Sequence, residues 1–446
     1  MRRKSAALLL GVLGWFILAL FSMQFARLNL DEPWYLTASR LVTSGKLPYR
    51  DFVFTQTPLL PYVYGILLGM AGPSLWTGRF ISVLLSTLAV ALAMSLARRA
   101  AGNGAAFLTL LWLSVTPAIL YYLVIVKTYS LTVVLVLLAL YWLFKDGGYS
   151  PSLFAFGSVL AAGLAAMTRI SFAPVVGVLF LYWVWRGNWK ASGLAILLVT
   201  LGALWFVYQS NGNFYFDAVE YHMHVAESLS TQGVVGIKTI LTSQVMLAFA
   251  PVIVLMLSLC LIAMRFALVR ARWARWWAAR VEALLVWLSS CLILMIVHLA
   301  TWGNYWEYQV PVYVISIPLL AANVMVVVRS SGQIQGHLLI AAIVALVTLP
   351  SWFFQSTSFW NSVNTVALAE RQASILVQSG IDTDQVLGMY NHLALAAGME
   401  IPSGNEMGLF SVTSELPVRE CFENSLIYWR DGKTTSPRIS DRSYRC

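Results

Sequence analysis

The chain has 446 residues, 59% of them hydrophobic and only 11% charged, with a formal net charge of +10. Soluble domains carry about 25% charged residues, so in water this chain would expose a large apolar surface. The positive balance does not indicate nucleic acid, because the basic residues fall in short loops between apolar runs, where membrane orientation signals sit. In hydrocarbon every backbone group must be bonded within a helix or a closed barrel. The apolar runs are continuous over about 20 residues, the length of a spanning helix, and do not alternate over about 10 as barrel strands do. The sequence therefore predicts an α-helical integral membrane protein.

The first run, 5–26, follows Met1-Arg2-Arg3-Lys4. It is long for a cleaved signal and has no clear small-x-small site, so it reads as a retained helix. Further runs at 75–97, 104–124, 128–144, 152–168, 172–186, 191–209, 240–264, 283–301, 309–328 and 338–354 bring the expectation to about 11 transmembrane helices. With the N-terminus in the cytoplasm, Arg98, Arg99, Lys145, Arg186, Lys190, the stretch Arg265–Glu282 and Arg329 fall on the same side, as the positive-inside rule requires. Arg265–Glu282, with Trp273, Trp276 and Trp277 among its arginines, reads as a cytoplasmic interfacial helix. An odd number of crossings puts the C-terminus outside.

Residues 1–354 form the expected membrane domain and 355–446 a small extracytoplasmic α+β domain. Two outer segments are long. In the first, 27–74, Pro58, Pro61 and Pro73 break the chain into short helices expected along the surface. The second, 210–239, holds Asp217, Glu220, His222, His224 and Glu227. The tail predicts a helix over Ser362–Ser379 and strands at Gln385–Met389 and Gly408–Val412. About 90 residues give a small domain without a rich core of its own, so it is expected to rest on the outer loops. Cys260 and Cys291 lie in apolar runs as core residues. Cys421 and Cys446 lie in the polar tail, in an oxidising compartment by this topology, and are candidates for a disulfide; two free thiols are the alternative.

The chemistry concentrates in the outer segments. Asp31-Glu32-Pro33-Trp34-Tyr35 sets two carboxylates at a membrane face, where they need a reason. One reading is helix capping, with Asp31 at the N-cap and Glu32 and Pro33 in the first turn; the other is catalysis. Lys127, Arg169 and Arg79 are cations at the outer face, against the positive-inside bias. Snorkelling to headgroups explains each alone; together they suggest a pocket for a phosphate. Glu307 with Tyr305 and Tyr308 is a further candidate lining of the sugar or phosphate site. His222 and His224, near Glu220, are candidate metal ligands, although a spacing of two does not set them on one helical face and a polar loop explains them as well. No P-loop or nucleotide fingerprint is present.

The first-loop residues carry a resemblance. The Asp31-Glu32 pair, Tyr35, Gly45-Lys46-Leu47-Pro48-Tyr49-Arg50-Asp51-Phe52, the Pro-rich Gln56-Thr57-Pro58-Leu59-Leu60-Pro61 and Arg79 come in the order found in the GT-C superfamily of polyprenyl-phosphate-sugar glycosyltransferases. The branch they resemble is shared by protein O-mannosyltransferases and the transferases that add aminoarabinose to lipid A. Thr168-Arg169-Ile170-Ser171, Tyr305–Pro311 and Ala397–Phe410 are similar more loosely. The resemblance implies inverting transfer of a sugar from a polyprenyl phosphate, at the outer face of a bacterial-type inner membrane, to a cell-wall polymer, lipid or protein. It implies Asp31 as the base that takes the acceptor's proton, with Glu32 supporting it or binding acceptor hydroxyls. Tyr35, Asp51, Gln56, Glu307 and Tyr308 would line the substrate site, and cations would meet the leaving phosphate.

Two departures stand out. The Glu-Lys pair that the aminoarabinose branch places before its Pro-Pro has no counterpart in Thr55-Gln56-Thr57-Pro58, which leaves Asp51 as the candidate to hold a divalent metal ion. Lys127 stands where many relatives have an outer-loop Asp. Two rival functions share the hydrophobic pattern. A transporter or lipid flippase would need buried polar groups midway along several spans, whereas the ionisable residues here cluster at span ends. A non-catalytic assembly subunit would use the tail as a binding module.

Overall fold

The computed structural model describes residues 2–72, 74–144, 151–222, 281–300, 306–331, 365–379, 391–399 and 401. The described chain is almost entirely helical, its one extended pairing being an isolated bridge between Pro48 and Phe52. In order the helices are α1 (Arg2–Phe25), α2 (Asp31–Thr43), α3 (Leu59–Ala71), α4 (Leu75–Ala101), α5 (Asn103–Val115), α6 (Pro117–Val124), α7 (Thr128–Leu143), α8 (Pro151–Thr168), α9 (Ala173–Trp185), α10 (Trp189–Gln209), α11 (Val281–Ala300), α12 (Val310–Ser331), α13 (Val366–Gln378) and α14 (Asn391–Ala396). Six helices among the described residues are long and apolar enough to cross a membrane, or seven if the bent pair α5–α6 is one span. The α7 helix and the segment Ile170–Trp185 are shorter apolar helices. The protein is thus a multi-pass helical membrane protein. The expected spans 240–264 and 338–354, the basic stretch Arg265–Arg280, the tail strands, Lys145, Cys260, Cys421 and Cys446 lie outside the described residues.

The chain divides into two compact units, one of Met1–Arg27, Arg79–Gly202 and Val235–Asn361, the other of Leu28–Gly78, Ala203–Val234 and Ser362–Cys446. In the first, the α1 side chains Leu9, Leu10, Leu13, Ile17 and Phe21 are exposed. Lipid tolerates such a surface where water does not, so this stripe marks the bilayer-facing side. Inside, small residues let backbones approach, the usual basis of helix packing in membranes. A Cβ at Gly157 of α8 would fall 1.6 Å from the Trp142 ring of α7, and the Ser158 hydroxyl donates to the Ala139 carbonyl across the same contact at 3.0 Å. Trp15 Nε1 reaches Ser86 Oγ to join α1 and α4, and Trp287 Nε1 the Ile315 carbonyl to join α11 and α12.

One expected span is broken. The run 104–124 forms α5 and α6, bent by 80°. The cause is Thr116-Pro117: a residue before proline avoids helical dihedrals, and Thr116 sits at φ −97°, ψ 104° while Pro117 opens the next helix.

In the second unit, α2 and α3 are the short helices expected of the first outer segment. They are in close contact: a Cβ at Gly65 would meet the Ser39 carbonyl at 2.9 Å, and Thr43 Oγ1 donates to the Ser39 and Gly65 carbonyls at 2.8 and 3.1 Å. Residues Glu32 through Ser39 of α2 are all buried. Pro33, Trp34, Tyr35, Leu36 and Ala38 supply apolar surface, and buried Glu32 and Ser39 are hydrogen-bonded to Asn29 N–H and the Tyr35 carbonyl. The tail reaches the same unit, where the Arg40 guanidinium donates to the Met399 carbonyl at 3.1 Å. Helix α13 falls within the expected tail helix and is capped by Thr365, whose hydroxyl accepts from Leu368 N–H.

Candidate functional site

Within the first unit, three interhelical connections come together. Lys127 stands just before α7 in extended conformation. Arg169 ends the α8 turn. Glu307 and Tyr308 lie in the short turn before α12. Lys127 Nζ donates to Glu307 Oε1 at 2.6 Å, and the Tyr122 hydroxyl donates to Oε2 at 2.6 Å. Arg169 Nη1 donates to Thr128 Oγ1 at 3.3 Å. Its guanidinium lies 4.6 Å above the Tyr308 ring and 5.4 Å from that of Tyr129; Lys127 Nζ is 5.3 and 5.4 Å from the Tyr122 and Tyr129 rings. Lys127 is 3% exposed, whereas the Glu307 side chain keeps 18%. Beside this cluster, His298 Nε2 and Ser171 Oγ are hydrogen-bonded at 2.9 Å.

A buried charge needs a partner, and Glu307 answers Lys127. Two polar groups here are satisfied by nothing in the described structure: the hydroxyl of fully buried Tyr129, and the side-chain amide of Gln309, 1% exposed. Buried polar atoms normally have hydrogen-bond partners, so orphaned groups beside paired cations fit a place that takes further donors or acceptors.

Arg79 has another role. It is fully buried; Nη1 donates to the Met23 and Ala26 carbonyls at 2.7 and 2.9 Å and Nη2 to the Arg27 carbonyl at 3.2 Å. The last carbonyls of a helix lack partners within it, and this guanidinium supplies them for α1. Of the three outer-face cations read from the sequence, Lys127 and Arg169 share the cluster and Arg79 caps a helix.

In the second unit, the Asp-Glu pair divides between two tasks. The expected N-cap, Asp31, is the first residue of α2, and the helix is closed by Asn29. The Asn29 side chain accepts from Asp31 N–H at 3.1 Å, and Glu32 Oε1 accepts from Asn29 N–H at 2.9 Å. This reciprocal pair works as a capping box set one residue before the N-cap, Leu30, which makes no side-chain cap bond. Glu32 is fully buried, while Asp31 is half-buried. Tyr35 is buried against Trp34 and Phe54.

The loop after α2 is tightly held. Tyr49 adopts φ 69°, a left-handed conformation costly for a bulky residue unless its surroundings fix it. Its ring is edge-on to Phe54, Phe206 and Phe214, and its hydroxyl donates to the Gln56 carbonyl at 2.6 Å. Asp217, buried at the start of the second outer segment, accepts from Phe54 N–H at 3.3 Å. Burial raises its carboxyl to about 7, and the Phe54 hydrogen bond opposes that. At the next residue, the Thr55 carbonyl accepts from His222 Nε2 at 2.8 Å.

Those bonds bear on a metal. Asp51 pairs with Arg50 at 2.9 Å through both carboxylate oxygens and accepts from Leu47 N–H at 2.7 Å. The Arg50 hydrogen bond, then that from Leu47, hold it below the usual carboxylate range. Among the described residues no group of three or more His, Cys, Asp or Glu side chains is placed to hold a metal ion. Asp51 and His222, the candidate ligands, therefore do not form a metal site with the described residues; His224 and Glu227 lie outside them.

The sequence reading missed Asn29, Tyr122, Tyr129 and Asp217 as contributors. Asn29 had a visible signal, an Asn three residues before a Glu. Tyr122 and Tyr129 flank the anomalous lysine. Nothing local marked Asp217, whose partner is 163 residues away.

Residues 55–209 match the family model described as dolichyl-phosphate-mannose-protein mannosyltransferase, a segment that includes Lys127 and Arg169. Comparison with curated protein sequences gives no match. Among solved structures, ArnT from Cupriavidus metallidurans bound to undecaprenyl phosphate is 18% identical, over 95% of this chain and 78% of that one, at a TM-score of 0.54. Its apo form gives 19%, 94%, 77% and 0.52. The oligosaccharyltransferase of Archaeoglobus fulgidus, in complex with Zn and sulfate, is 12% identical over 84% of this chain and 56% of that one, at 0.51. The chain shares the fold of these solved membrane proteins.

Proposed function

We propose that the protein transfers a sugar from a polyprenyl-phosphate carrier to an acceptor on the extracytoplasmic face of a cell membrane. The observation that carries this reading is the cluster of Lys127, Arg169, Tyr122, Tyr129 and Glu307, assembled from three connections that the charge bias assigns to one membrane face. A lipid phosphate gains negative charge as the sugar leaves. Preorganised donors in a water-poor site stabilise such charge far better than water does. Lys127 and Arg169 are the donors, and the orphaned Tyr129 hydroxyl is a third within the same cluster. ArnT, whose fold the chain shares, was crystallised with undecaprenyl phosphate.

Asp31 is the candidate base. It is half-buried in the first turn of α2 while Glu32 holds the cap. In this reading its carboxylate takes the proton of an acceptor hydroxyl, and transfer inverts the anomeric centre. Asp217, His222 and Tyr49 hold the loop that carries Gln56. The N-terminus is cytoplasmic and the tail extracytoplasmic in this reading. No step is assigned to a metal.

The test is transfer by the purified full chain in nanodiscs, given a radiolabelled polyprenyl-phosphate sugar and a membrane extract as acceptor source. The reading expects label to move into an acceptor as polyprenyl phosphate forms. Movement of intact donor across a vesicle membrane without cleavage would favour a flippase instead.

A further inference from the structure

Gln309 joins the cluster to α12, and its side chain takes no part in holding that junction. It ends the short turn that carries Glu307 and Tyr308 and directly precedes α12. It is 1% exposed, and neither amide atom, Nε2 or Oε1, has a hydrogen-bond partner. A polar residue just before a helix can cap it, but this amide bonds to no backbone group. Packing does not account for it either. A methionine would fill similar space without leaving two buried polar atoms unpaired, which is destabilising. The two residues before it on the same turn meet the cations. Glu307 accepts from Lys127 Nζ at 2.6 Å, and the Arg169 guanidinium lies 4.6 Å from the Tyr308 ring.

The chemistry of a primary amide selects what could satisfy it. Nε2 donates and Oε1 accepts. A phosphate oxygen only accepts, so it would pair with Nε2 and be repelled by Oε1. An ammonium group only donates and would leave Nε2 unpaired. A lipid chain satisfies neither atom. A sugar hydroxyl both donates and accepts, and two neighbouring hydroxyls can satisfy both ends of one amide. In a polyprenyl-phosphate sugar the anomeric carbon is bonded to the phosphate oxygen, so the ring hydroxyls stand within a few bonds of the phosphate. We propose that Gln309 is a specificity-determining residue for the transferred sugar, recognising a pair of neighbouring hydroxyls through the donor and the acceptor of its amide. This rests on the phosphate reading of the cluster and adds the sugar feature that is read beside it. A sugar lacking one hydroxyl of the pair leaves an amide atom buried and unpaired, and is rejected for that reason. The resting protein keeps two unpaired polar atoms in return for that selectivity.

The experiment measures binding to the full chain in nanodiscs of undecaprenyl phosphate and of its glucose, mannose and arabinose esters. Wild type, Gln309→Met and Lys127→Met are compared, with thermal unfolding of each. Wild type should bind at least one sugar ester more tightly than the bare carrier. Gln309→Met should reduce that preference about tenfold, the effect of two lost neutral hydrogen bonds. It should leave binding of undecaprenyl phosphate unchanged and raise the unfolding midpoint. Deoxy analogues of the preferred ester, each missing one ring hydroxyl, should identify two neighbouring positions whose loss weakens binding to wild type and not to Gln309→Met. The inference is overturned if wild type binds no ester more tightly than the carrier. A raised midpoint with the preference intact would overturn it too, leaving the amide to a buried water. Equal weakening of carrier and ester in Gln309→Met would assign the residue to the phosphate and also overturn it. Lys127→Met tests the reading beneath: if carrier binding survives that substitution, the phosphate reading fails and takes the inference with it.

Discussion

Lys127 Nζ and Glu307 Oε1 meet at 2.6 Å across 180 residues of sequence, with the lysine almost wholly buried. Breaking a buried pair by removing one partner costs about 3–5 kcal/mol, because the other charge is stranded. Glu307 retains some exposure, so Lys127→Met should destabilise the protein toward the lower end of that range. The double variant Lys127→Met/Glu307→Gln should recover most of the loss in thermal unfolding. It should not recover transfer, which should stay roughly 10²–10³-fold below wild type, the usual effect of removing one transition-state donor. Recovery of both would assign the lysine to stability alone.

Arg79 should behave oppositely. Its hydrogen bonds go to the Met23, Ala26 and Arg27 carbonyls at the end of α1. Arg79→Met should cost about 3 kcal/mol in unfolding, given the strength of charged hydrogen bonds. The folded fraction should keep the wild-type KM for donor lipid. A raised KM with unchanged stability would return Arg79 to the phosphate site.

The neighbouring carboxylates of α2 should separate in the same way. Asn29→Ala removes half of the capping box and should cost about 1 kcal/mol with little effect on turnover. Asp31→Asn should reduce turnover per folded molecule by roughly 10²–10⁴, the contribution of a positioned base, beyond any change in unfolding. Transfer rates per folded molecule distinguish the two variants, and full turnover in Asp31→Asn would remove the base assignment.

Asp217 gives a pH dependence. Its folded value near 7 lies above the roughly 3.9 of an unperturbed aspartate. The protonated form is the one burial favours, so its contribution to stability is fully present below about pH 4. That contribution is lost as pH rises through 7. At roughly 1.4 kcal/mol for each pH unit between the two values, the change is on the order of several kcal/mol. Asp217→Asn should flatten this part of the profile, seen as a difference in unfolding midpoint between variant and wild type that grows from pH 4 to pH 8. A constant difference would mean the carboxyl does not titrate in that range.

The fold was legible where it rests on hydrophobic length. The runs 75–97, 152–168 and 191–209 became the span-length helices α4, α8 and α10 within a few residues, because a spanning helix must be continuous and apolar, and 128–144 became the shorter α7. Thr116-Pro117 was passed over because an apolar run hides a break that only the proline reveals. At the site, Lys127 and Arg169 stood out because a charge next to an apolar run is costly enough to need an explanation. A shared pocket with Glu307 could be suggested from residue type and membrane side, but the contact itself depends on the packing of α7, α8 and α12. Arg79 looked the same as the other two cations in sequence. Its role follows from which carbonyls lie within reach, a property of three-dimensional placement. The same holds for Asp217 and Phe54.

The account stands most directly on whether a lipid phosphate binds at the Lys127 cluster. Structure determination of the full chain in nanodiscs containing saturating undecaprenyl phosphate addresses this. The account predicts phosphate density within hydrogen-bonding distance of Lys127 Nζ and the Arg169 guanidinium. Ordered lipid phosphate elsewhere, with the cluster still closed on itself around Glu307, would contradict it.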